Sequence, residues 1–373
     1  MLIQLINSIK PFLFILILIL SSCSKDEEGI REDNIKESTK REIEWTTQLT
    51  FNGKDTRPLS ITEIKNQGYL ILRRSANIGN MGSYASLSFI DTEGNEIWNS
   101  DYEDLRGSVT SNLVSFGNNY AFFTGYEVVV VDINGNIIKA IDTALLSGNY
   151  ELSGNCGLKS VSDGLLLFTL GGGYIAKINQ SGEIVWNNVY NKMISDATEY
   201  LNGKYIFTTA FNYSESGYGT FFINSEGEYT DSLTTNGMLI SVDTNQNLFL
   251  FDYTDRSEYY RIKLRKTSLN GEEQTSYEYE HPAHLYCGQH IYPKNNLFSF
   301  IGSTGIHIIN YSDDNEEIHE YKCGSIKTSV DTQNWNRAWF GLTPTFDGGF
   351  IVARKAVQEN SSGNSVIVIN KYK

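Results

Sequence analysis

Ser88–Trp98 reads SFIDTEGNEIW, and Ala176–Trp186 reads AKINQSGEIVW. Both run from apolar residues through Asp or Asn, two residues, Gly and three residues to Trp, and the two tryptophans stand 88 residues apart. Asn, Asp and Gly accept the positive φ that short hairpins need. Each copy therefore reads as strand, tight turn, strand. Four weaker copies follow the same pattern: VVDINGNIIK, FFINSEGEYT, KTSLNGEEQT and INYSDDNEEIH.

A second motif alternates with the first. It is a Gly or Asn turn followed by an apolar strand: NQGYLIL, GNNYAFF, SDGLLLF, NGKYIF, NQNLFLF, KNNLFSF and DGGFIV. These seven turns sit near Gly68, Asn119, Gly164, Gly203, Asn247, Asn296 and Gly349, at intervals of 39 to 53 residues. Their flanks are rich in Val, Ile, Phe and Tyr, and no window holds a long 3.6-residue period. Two hairpins per repeat make four strands, and tandem four-stranded units of this length predict a single all-β domain, a β-propeller. The 88-residue gap is then two repeats.

Seven blades are expected, although the spread of intervals also fits six or eight. The last unit ends one strand short, after SVIVINKYK. REIEWTTQLTF (Arg41–Phe51) supplies a spare strand, and Trp45 stands 53 residues before Trp98, about one repeat. Pairing the N-terminal strand with the last blade closes the ring and removes an open edge. Trp45, Trp98 and Trp186 are then expected on outer strands, packed between neighbouring blades.

The first residues follow another logic. Lys10 precedes Phe12–Leu20, nine apolar residues, the length of a signal h-region and too short to span a bilayer. Then comes LSSC, Leu20–Cys23. This resembles the signal of bacterial lipoproteins, which implies a signal peptide over 1–22 and a lipid on Cys23. The charged stretch that follows cannot bury apolar area, so residues 23–40 are expected to be a disordered tether, with the propeller over 41–373. SKDEE, directly after Cys23, resembles the export signal of Bacteroidetes-type surface lipoproteins. That resemblance implies an outer-membrane, surface-exposed protein, with the periplasmic face as the alternative. The repeats resemble propellers of the pyrroloquinoline-quinone-like and WD-type classes. A similar fold occurs in lipoproteins that assist outer-membrane protein assembly.

Composition narrows the partners. A net charge of −14 argues against nucleic acid. Adjacent Cys–Cys pairs mark the quinone enzymes of the resembled class; this chain has none, and no cofactor is expected. DINGN at Asp132–Asn136 lacks the length and distal acid of a calcium loop and reads as a hairpin turn. All five histidines, His281, His284, His290, His307 and His319, fall in one repeat. HPAHLYCGQH invites a zinc or copper site on His281, His284, Cys287 and His290. On a strand, though, residues three apart point opposite ways. Ordinary packing histidines, or a Cys287–Cys323 disulfide, are the other readings. No spacing suggests a nucleophile or a phosphate loop.

Aromatic residues make up 13% of the chain. Much of this fills blade interfaces. Tyr213, Tyr253, Arg256, Trp335, Arg337 and Trp339 fall in segments read as loops, and in a propeller these open on one face together with Arg73 and Arg74. Such residues on loops suit recognition of a protein or glycan. The expected function is a lipid-anchored, non-catalytic binding module. The alternatives are an envelope glycan-active enzyme with its site at the funnel, and an outer-membrane assembly scaffold.

Overall fold

Strands buried on both faces read as unbroken apolar runs, and strands with one solvated face alternate. Both kinds recur along this chain. The computed structural model describes residues 42–79, 82–143, 156–209, 218–235, 237–256, 259–281, 285–292, 297–302, 305–310, 340–357 and 365–373. No helix occurs among them, and Lys40–Lys373 belong to one compact unit.

The chain enters at β1 (Ile43–Phe51). The first sheet is β2 (Lys54–Ile64), β3 (Gly68–Asn77), β4 (Tyr84–Ile90) and β5 (Glu96–Tyr102). The second is β6 (Val114–Phe116), β7 (Asn119–Phe123), β8 (Glu127–Val131) and β9 (Ile137–Asp142). The third is β10 (Cys156–Val161), β11 (Gly164–Thr169), β12 (Tyr174–Asn179) and β13 (Ile184–Val189). The fourth is β14 (Ile194–Leu201), β15 (Lys204–Thr209), β16 (Tyr218–Ile223) and β17 (Tyr229–Thr235). The fifth is β18 (Met238–Val242), β19 (Leu248–Arg256), β20 (Tyr259–Thr267) and β21 (Glu273–His281). The sixth has three described strands, β22 (Leu285–Tyr292), β23 (Leu297–Gly302) and β24 (Gly305–Asn310). The seventh is β25 (Phe340–Pro344), β26 (Phe350–Val357) and β27 (Ser365–Tyr372), with β1 as its fourth strand. Every pairing is antiparallel between sequence neighbours except β1 with β27.

The third and fourth strands of the first five sheets are joined by one recurring turn. In Asp91–Asn95, Asp91 Oδ1 accepts the amides of Glu93 and Asn95 at 3.1 and 2.7 Å, and Gly94 takes φ +89°. Asp132 repeats this with the amides of Asn134 and Asn136 at 2.9 and 2.8 Å. Asn224 does the same with the amides of Glu226 and Glu228, Asn179 accepts the Glu183 amide and the Ser181 hydroxyl, and Ser268 accepts the Glu272 amide in the fifth sheet. The ladder register slips just before each turn. This is the three-residue hairpin with a glycine bulge, so DINGN is a hairpin turn.

The repeated tryptophan has its reason at the sheet-to-sheet contact. Trp45 of β1 lies over the Gly94 turn and donates Nε1–H to Thr92 O at 2.9 Å. Trp98 lies over Gly135, and Trp186 over Gly227. A Cβ on those glycines would come within 2.7, 2.8 and 2.6 Å of the three indoles. Where the second sheet has Lys139 instead, its Nζ donates to Ser181 O at 2.7 Å. The hydroxyls of Tyr102 and Tyr190 add bonds to Gly135 O and Gly227 O at 2.7 and 2.6 Å. Outer strands are thus pinned to the outer turn of the following sheet. Beneath these pins the sheets share apolar cores, such as Phe123, Val128, Leu158, Leu165 and Leu167 between the second and third.

β1 closes the seventh sheet from Ile43 opposite Tyr372 to Phe51 opposite Ser365, with one register shift between Ile43 and Trp45. Its Leu49 and Phe51 join Ile61, Ile71, Ile351 and Ile367 in one core, so the first and last strands of the sequence share it. Lys371 fastens the lower end, with Nζ 2.7 Å from Asp347 and 2.9 Å from Glu44 of β1. Burial opposes ionisation of Asp347, but hydrogen bonds from Lys371, Thr345 and the Gly349 amide outweigh it and bring the pKa to about 2. A depressed carboxylate stabilises the fold above its unfolded value and loses that contribution as pH falls through the folded one. Stability measured by urea unfolding should therefore drop between about pH 4 and pH 2. Lys371→Met should flatten that slope; an unchanged slope removes this clamp from the account.

Candidate recognition face

Up-and-down sheets have two unlike ends. One carries the turns joining first to second and third to fourth strands; the other carries the second-to-third loops and the links to the next sheet. The turn end is clipped, because its side chains bond their own backbone. Leu201 and Phe346 are exposed at its turns, and Ile43, Ile97, Ile137, Val185 and Tyr229 are exposed on the outer strands beside them.

The loop end is built differently. Loop 170–173 is laced to link 190–193 by Gly171 N–H to Ile194 O at 2.8 Å and Tyr190 N–H to Gly173 O at 2.7 Å. That lacing leaves Leu170 and Met193 exposed. Tyr126 is 50% exposed on loop 124–126. The Arg106 guanidinium lies 5.2 Å from its ring centroid and 3.6 Å from Asp142. Ile78 is 52% exposed, held by its amide bond to Gly53 O at 3.0 Å.

A cationic cluster stands at the same end. Arg57 and Arg74 are direct register partners across β2 and β3, so both side chains leave the same face of the sheet. Arg57 Nη2 donates to Asp55 at 3.0 Å, and Lys355 of β26 donates to the same carboxylate. Burial opposes ionisation of Asp55, but Lys355 and Arg57 outweigh it and hold the carboxyl below its usual range. Arg74 Nε donates to Ser83 Oγ at 3.0 Å. Among the described residues Arg74 has no acidic partner.

Arg73 requires a correction. It was expected on the exposed face, yet it is 0% exposed. Strand alternation turns it away from Arg74, into the seam with the seventh sheet. There its guanidinium lies 4.1 Å from the Phe51 ring centroid, and Nη2 donates to Leu87 O at 3.2 Å. Burial brings its pKa to about 10, so it stays cationic at neutral pH. Tyr253 and Arg256 are likewise strand residues, in β19 opposite Ile262 and Tyr259, where a loop was expected.

Tyr213, Trp335, Arg337 and Trp339 lie outside the described residues, as do His284 and Cys323. His281 ends β21, and Cys287 and His290 lie in β22, whose register shifts between Tyr286 and His290. No group of three or more potential metal ligands occurs among the described residues. Cys156 is buried, which pushes its thiol up to about 12. The sequence reading missed Arg57, Lys355, Arg106 and Tyr126. No local signal marked the first two, since their grouping depends on strand register and on chain closure.

The WD40 domain of Neurospora crassa Pan2 superposes with a TM-score of 0.51 at 12% identity, covering 87% of this chain and 94% of that one. The fold is that of a β-propeller. Pyrococcus horikoshii acylaminoacyl peptidase gives the same TM-score at 12% identity, over 81% of this chain and 49% of the peptidase. An extracellular domain from B. thetaiotaomicron aligns over 87% of this chain and 40% of that one, at 11% identity and a TM-score of 0.43. No family model and no curated protein sequence matches the chain. At these identities the likeness carries the propeller architecture alone.

Proposed function

We propose that this chain is a lipid-anchored, seven-bladed propeller of the outer membrane that binds a protein partner with its loop end and does no chemistry itself. Seven sheets among the described residues support the blade count. LSSC and the acidic residues after Cys23 support the anchor and a surface location. One observation carries the binding reading: the loop end exposes Ile78, Tyr126, Leu170 and Met193 in the loops and links of consecutive blades, while at the opposite end most exposed apolar residues lie on outer strands, beside turns closed by their own side chains. Aliphatic groups of this kind favour polypeptide over sugar. The acids of two inner strands support a non-catalytic role, since each is held by the protein itself: Asp55 by Lys355, Asp196 by Lys159 at 3.2 Å, Glu63 by the Phe346 amide and Glu199 by Ser162 and the Gly203 amide. A glycan is the second reading, favoured by the exposed Tyr126 ring beside Arg106.

The test is capture of a partner from envelope extract by the full chain, with a glycan array alongside. Tyr126→Ala combined with Leu170→Asp should abolish capture, while Phe346→Ala at the turn end should leave it intact. Capture that survives the loop-end change, or is lost only with Phe346→Ala, moves the site elsewhere. A second measurement addresses the anchor. Cys23→Ala should abolish lipid labelling and move the protein from the detergent phase to the aqueous phase. A variant that still labels as a processed lipoprotein overturns that assignment.

A further inference from the structure

We infer that the Arg57–Arg74 pair is a docking point for a carboxylate of the protein partner, an aspartate or glutamate side chain. The inference rests on the binding reading of the loop end and gives it a chemistry. Two arginines directly opposite each other in a sheet repel, and such a pair is a cost unless an anion lies between. Among the described residues the carboxylate bonded to this cluster is Asp55, and it is shared by Arg57 and Lys355. Among the described residues three cations therefore face one anion, a local excess of positive charge in a chain of net charge −14. Arg74 uses only Nε, on Ser83, which leaves its terminal nitrogens for a ligand.

The geometry suits a carboxylate. A guanidinium presents parallel donors that match two carboxylate oxygens. Both arginines stand on paired strands, so little ordering is required when a ligand arrives. Arg57 is one-third exposed at its side chain, open enough to be reached and shielded enough to strengthen the contact. The acidic remainder of the surface repels an acidic partner, so this patch also sets its orientation. The exposed aliphatic Ile78 at the same end favours a polypeptide over an acidic glycan as the carrier.

The test is isothermal titration of the full chain with a short glutamate oligomer, run against a galacturonate oligomer of matched charge. Arg57→Gln and Arg74→Gln should each weaken glutamate binding about tenfold. Asp55→Asn should strengthen it, because it frees both cations; a purely structural Asp55 predicts no gain. Thermal melts check that each variant is folded. If an arginine variant does not fold, the Asp55→Asn gain and its loss in Lys355→Met decide the matter. No binding, binding indifferent to both arginines, or tighter binding of galacturonate each overturns the inference. The two readings fail separately. Loop-end variants that lose partner capture while the arginine variants keep it sink this inference alone. Glutamate binding without loop-end capture sinks the wider one.

Discussion

Deleting Ile43–Phe51, with the chain otherwise intact, is expected to unfold the protein or leave it barely stable. Leu49 and Phe51 are 1% and 8% exposed, and full burial of such side chains is worth about 1.5–3 kcal/mol each. The deletion also strips β27 of a partner strand and bares its edge. It further removes Trp45 and Thr47 from the Gly94 turn and takes Glu44 away from Lys371. Together these changes cost about 5–8 kcal/mol, against a typical stability of about 5–15 kcal/mol. Urea unfolding followed by circular dichroism should show a strongly lowered midpoint or no transition. A peptide of residues 42–52 added in trans should restore part of it. A deletion variant whose melting point stays within about 2 °C of the parent would show that β1 is dispensable.

The next largest effect is expected at Trp186. Its ring is 8% exposed, lies 5.7 Å from the Tyr205 ring and covers Gly227 of the following blade. Trp186→Ala should cost about 3–5 kcal/mol through lost burial and the cavity left behind. The indole N–H has no acceptor among the described residues, so Trp186→Phe should cost less than Ala substitution. Gly227→Ala should also destabilise, because its Cβ would collide with the indole and its φ is +81°. In the double variant the collision with the indole is gone, and the φ strain and the 2.8 Å approach to Asn188 Nδ2 remain. The two costs should then sum to less than their parts. Strict additivity in chemical unfolding would mean that the indole does not rest on that glycine.

The repeat, the hairpin turns and the N-terminal closure strand were legible in the residues alone. Each depends on chemistry within a few positions or on a count of strands. Asp91, Asn179 and Asn224 bond amides two or four residues on, and Gly94, Gly182 and Gly227 supply the positive φ. The pairing of β1 with β27 follows from the one unit that lacked a strand. The side to which Arg73 points was not legible. A shift of one residue turns every side chain of a strand to the other face, and β2 carries an irregularity between Pro58 and Ser60 that no local motif announces. The placing of Arg57 opposite Arg74 is likewise a property of register. Lys355 reaches Asp55 from 300 residues away only because the ring closes. Turn chemistry is local and so belongs to the sequence. The grouping of charges at the loop end is set by pairings between distant strands, and these exist only once the blades have packed.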